Sequence, residues 1–126
     1  MGLFSALSRL TGPSAPRLAS PDAGAPVIEL ERLEVHTAGT LVIVVTDSPG
    51  AQVLREVARS GQAARLVSAS ASVFLSPTRR DELSVHDPAT GWVIPLGPEQ
   101  RERIARELPA TGDLELSESL AFSVEG

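Results

Sequence analysis

Beyond residue 26, apolar and polar positions alternate along most of the chain, and the breaks in that alternation mark its turns. Ile28 and Leu30 alternate with Glu29 and Glu31, and Leu33 and Val35 continue one residue out of phase, predicting a strand bulged near Glu31 and Arg32. Thr37-Ala38-Gly39 reads as a hairpin turn into a buried strand from Leu41 to Thr46. Asp47 or Ser48 then caps a helix opened by Pro49, with Val53, Leu54, Val57 and Ala58 as its apolar stripe and Gly61 at its exit. From Arg65 to Leu75 the odd positions Val67, Ala69, Ala71, Val73 and Leu75 are apolar against Ser68, Ser70 and Ser72, which predicts one continuous strand.

The second half repeats this order. Leu83–His86 and Gly91–Pro95 predict a hairpin around Asp87-Pro88-Ala89-Thr90. Pro98 opens a second helix with Glu99/Arg103 and Glu102/Arg106 at i, i+4, and Pro109 closes it. Leu114, Leu116, Leu120, Phe122 and Val124 share one parity, broken only at Glu118, and predict one or two final strands. Leu33-Glu34-Val35-His36 matches Leu83-Ser84-Val85-His86 fifty residues on, and Leu54 matches Ile104 at the same offset. The expected fold is α+β, a mostly antiparallel sheet with two helices on one face, and the order is compatible with a duplicated ββαβ unit.

Upstream of this domain the pattern changes. Leu3, Phe4, Leu7 and Leu10 fall at the spacing of one face of a short helix, so residues 1–10 read as an amphipathic segment. Residues 11–26 hold Pro13, Pro16, Pro21 and Pro26 with Gly12 and Gly24 and little that is apolar, which reads as a flexible linker. Residues 27–126 are then a single domain, about 100 residues and enough for one core.

Composition narrows the chemistry. Apolar residues make up 42%, and the chain has no Cys, Lys or Tyr, so thiolate metal sites, a P-loop lysine and Schiff-base catalysis are excluded. Its 11 cations are all Arg against 16 acidic residues, a net charge of −5, and with one Trp and three Phe this disfavours general nucleic-acid binding. The longest strongly apolar run, Leu41 to Val45, is far short of the ~20 residues of a membrane-spanning helix. The first residues lack the basic and apolar regions of a secretion signal, so a cytoplasmic location is expected.

Three features carry candidate chemistry. Asp47, Ser48 and Gly50 stand where a buried strand enters a helix, a place where backbone N–H groups favour an anion such as phosphate, although the plainer reading is a helix cap. No GxGxxG, GxxxxGK[ST] or GxSxG motif accompanies them. His36 and His86, with Asp87 as a third ligand, hold too few donors at metal spacing, and they read as turn residues. Leu3, Phe4, Leu7 and Leu10 offer an apolar face to a protein partner, and secondarily to a membrane surface, for which Arg9 is a weak electrostatic anchor. The sequence therefore points to a non-catalytic, cytoplasmic protein-interaction or regulatory module without metal or cofactor, acting on a protein partner or as a homodimer. The alternative is a small-ligand or phosphate-binding protein, conceivably an enzyme, centred on Asp47, Ser48 and Gly50.

Overall fold

In the computed structural model, which describes residues 24–80 and 82–126, the period-2 segments pair into two mixed sheets. The elements run β1 (Val27–Glu29), β2 (Leu33–Ala38), β3 (Leu41–Asp47), α1 (Ser48–Ser60), β4 (Ala64–Val67) and β5 (Ser72–Pro77) in the first half. The second half holds β6 (Val85–Asp87), β7 (Gly91–Leu96), α2 (Pro98–Glu107), β8 (Gly112–Ser117) and β9 (Leu120–Glu125). The five-stranded sheet has the order β1-β4-β5-β7-β6 and the four-stranded sheet β2-β3-β9-β8. The fold is α+β as expected, with four antiparallel pairings and three parallel ones, β1·β4, β3·β9 and β5·β7.

Where the sequence suggests one sheet, the chain changes sheet at the step between Ile28 and Val35. The phase shift at Glu31 and Arg32 is not a bulge within a strand: β1 pairs with β4, and β2 starts anew at Leu33 beside β3. Two hydroxyls fasten this crossing. Thr46 Oγ1 donates to the Arg32 carbonyl at 2.7 Å and Ser68 Oγ donates to the Leu33 carbonyl at 2.7 Å.

The predicted strand from Arg65 to Leu75 is a hairpin instead. Ser68 Oγ accepts from the backbone N–H groups of Ser70 and Ala71, both at 3.1 Å, and Ser68 N–H reaches the Ala71 carbonyl at 2.9 Å. A serine side chain thus replaces ladder partners and turns the chain, the competition that makes serine a turn residue. The first half therefore reads βββαββ, two strands more than the pattern suggests, and the second ββαββ, and each sheet joins a hairpin of one half to a hairpin of the other across a parallel pair.

Equivalent order does not by itself show duplication, and the matched tetrapeptides end in different surroundings. Leu33 is 1% exposed inside β2, whereas Leu83 is 69% exposed just ahead of β6. The helices agree better, since Leu54 and Ile104 are both fully buried.

One apolar core joins the two sheets and both helices, with Leu33, Val44, Leu54, Leu66, Val73, Ile94, Ile104 and Phe122 almost without exposure. The buried face of α1 is Gly50, Ala51, Leu54 and Ala58, while Val53 and Val57 pack at its margin, so the predicted stripe is displaced by part of a turn. Gly61 ends α1 with φ of 70°, as glycine at a helix exit should. In α2 the Glu102/Arg106 pair forms at 3.9 Å, and Arg103 bonds with Glu107 at 3.4 Å.

Candidate interaction site

At the strand-to-helix junction the polar groups serve the fold. Asp47 is the N-cap of α1, its Oδ1 accepting from Gly50 N–H at 2.9 Å. Ser48 Oγ donates to the Ala110 carbonyl at 2.7 Å, which ties the start of α1 to the loop after α2. Gly50 is required by close packing: a Cβ there would lie 1.9 Å from Thr46 Oγ1, a group with no solvent exposure. The small residue that suggested room for a phosphate makes room for Thr46.

The histidines go to separate sheets. His36 lies on β2 with Nε2 3.1 Å from Glu34 Oε1, and His86 lies on β6 against Trp92, ring centroids 5.0 Å apart and tilted by 52°. Among the described residues no three His, Asp or Glu side chains are grouped as a metal site. Asp87 closes the β6–β7 turn, its Oδ1 accepting from Ala89 N–H at 2.8 Å, and this bond is the first cause that holds its carboxyl below the ordinary carboxylate range.

An open cavity of about 300 Å3 lies where hairpins of the two sheets approach. Thr40 and Val42 of the β2–β3 hairpin form one wall, Leu83, His86 and Trp92 the other, and Ser119 of the β8–β9 turn completes it. Trp92 is the protein's one tryptophan and is partly buried against the core. Leu83, 69% exposed, carries this wall outward, while Val85, 57% exposed, alternates with His86 and does not line the cavity. Sequence reading places this hairpin but misses the cavity, because Val42 and Trp92 meet only through the packing of two sheets. The signal available to it was Leu83 and the protein's one tryptophan, Trp92, on the two arms of one predicted hairpin.

The free edges of the sheets differ in chemistry. In the four-stranded sheet, β2 presents Glu34 and His36, with Arg32 bridging Glu34 and Glu125, and β8 presents Asp113 and Glu115. In the five-stranded sheet, β6 presents Val85 after Leu83 and ends on Asp87, and β1 presents Val27, 54% exposed, with Glu29. Charged side chains on an edge discourage pairing with another chain, and apolar ones invite it.

Leu3, Phe4, Leu7 and Leu10, and the linker as far as residue 23, lie outside the described residues. Pro26 is within them, its carbonyl accepting from Arg65 N–H at 2.9 Å where β1 meets β4. No helix among the described residues is long and apolar enough to cross a membrane. No protein-family model and no curated protein matches the chain.

Proposed function

We propose that the protein is a non-catalytic interaction module that self-associates through the β6 edge of its five-stranded sheet. The supporting observation is the exposure of Leu83 and Val85 together at the free β6 edge, where Asp87 at the strand's end is the one acidic residue. Antiparallel pairing of β6 with β6 of a second copy is self-complementary about a two-fold axis, continues the sheet and covers both side chains. The cytoplasmic and regulatory parts of the reading rest on sequence alone. The Asp47 junction gives less support to a ligand-binding role, because the Asp47 and Ser48 side chains and the Gly50 N–H are engaged within the fold.

Analytical ultracentrifugation over a range of protein concentration tests the proposal. Wild type is expected to form dimers. Leu83→Glu with Val85→Glu is expected to sediment as a monomer with its circular dichroism intact, since both side chains are exposed. A wild type that stays monomeric throughout, or a double variant that dimerises equally well, sinks the reading.

A further inference from the structure

The cavity between the two hairpins has an apolar wall and an open mouth, and a candidate occupant lies on the same chain. The geometry points to docking of residues 3–10 in cis, with Leu3, Phe4, Leu7 and Leu10 seated against Trp92 and Val42. The inference does not depend on self-association, since β6 can offer its outer backbone edge whether the cavity is filled or empty.

Distance supports this occupant. The described chain starts at Gly24 and enters the five-stranded sheet at Val27, on the edge strand opposite β6. One ladder row crosses the sheet from Val27 through Arg65, Phe74 and Val93 to Val85. Four strand spacings separate its ends, about 19 Å. Residues 11–23, which connect the segment to the domain, have a root-mean-square span of about 20 Å as a coil and reach roughly 45 Å when extended. A tether whose mean length matches the gap gives the highest effective concentration, in the millimolar range for a short one. A second protein would have to compete with that concentration.

Chemistry agrees with distance. The segment's apolar residues fall at i, i+1, i+4 and i+7, the spacing by which a helix presents anchors to a groove. Arg9 falls on the opposite face, so docking need not bury it. A short helix that is marginal alone in water gains its stability from such a contact.

Trp92 provides a readout in the full chain because no other tryptophan contributes. Its fluorescence and quenching by acrylamide are to be compared for wild type, Phe4→Ser with Leu7→Ser, and Arg9→Gln. If the segment fills the cavity, the double variant shifts Trp92 emission to the red and raises quenching to the same extent at every protein concentration, while Arg9→Gln matches wild type. Emission and quenching unchanged in the double variant overturn the inference. A change that grows with protein concentration also overturns it, since the segment would then come from a second copy. Sedimentation of the same samples separates this from the β6 proposal: loss of the Trp92 effect with dimers retained refutes docking alone, and monomers with the Trp92 effect retained refute self-association alone.

Discussion

The hairpins β2–β3 and β6–β7 start from nearly the same tetrapeptide and occupy corresponding places in the two sheets, yet one is built into the core and the other faces outward. In β2, six residues pair with β3, and Leu33 is sealed beneath the hydroxyl bonds that Thr46 and Ser68 make at the sheet crossing. In β6 only Val85, His86 and Asp87 pair with β7, and Leu83 stands in solvent at the mouth of the cavity. The difference teaches that alternation sets which residues share a face, while ties to distant parts of the chain decide whether that face is buried.

Truncating the two matched leucines tests this contrast most directly. Leu33→Ala is expected to cost about 2–5 kcal/mol, as for buried leucines elsewhere, and Leu83→Ala to stay within about 0.5 kcal/mol. Urea denaturation midpoints measure both, and similar losses would mean that the hairpins are equally embedded. The turn glycines give the next largest effect, with the ranking reversed. A Cβ on Gly91, at φ of 93°, would lie 2.5 Å from the Ser72 carbonyl oxygen, whereas one on Gly39, at φ of 63°, meets no atom within 4 Å. Gly91→Ala is therefore expected to lose about 2–3 kcal/mol from backbone strain plus overpacking, and Gly39→Ala about 1 kcal/mol from backbone alone. Thermal melts that rank them the other way would contradict the close approach of β5 to the β6–β7 turn.

Ser68→Ala sharpens the role of the tie at Leu33. It removes a donor to the Leu33 carbonyl and the acceptor of two turn N–H groups, so a loss of about 1–2 kcal/mol is expected. Hydrogen exchange at β2 and at the β4–β5 turn should rise together, and a rise at the turn alone would show that the Leu33 bond does not hold β2. The smallest effect belongs to Asp87, whose carboxyl is exposed. Because its folded pKa is lowered, its contribution is present above the unfolded carboxylate value, about 3.9, and is lost as pH falls through the folded value. Asp87→Asn keeps an acceptor for Ala89 N–H, so its deficit in melting temperature against wild type should be slight at neutral pH and vanish in acid. A deficit that does not change with pH would assign it to geometry instead of charge.

Local signals were readable where a residue's own chemistry determines its conformation. Asp47 as cap, Pro49 in the first turn, Gly61 at the exit and both turn-centred hairpins all follow from short-range rules. Ser68 misled the pattern because alternation through serine is the same whether the serine faces solvent or closes a turn. The phase shift at Glu31 and Arg32 was visible, but a bulge and a change of sheet produce the same shift, and only the bonds to Thr46 and Ser68 distinguish them. The division into two sheets and the cavity at Trp92 depend on partners up to a whole half away, for which one sequence carries no periodic signal. Gly50 was noticed for its smallness, while the neighbour that demands it, Thr46, lies a turn back at the end of β3.

The parallel pairs β3·β9 and β5·β7 each bind a strand of the first half to a strand of the second. A protease cut anywhere between Thr78 and Ser84 would therefore yield two fragments that stay together in native buffer, since neither sheet is complete in either fragment. On the ribosome the same interleaving leaves β3 with one open side until β9 has been made, so the first half waits for the second before either can lock.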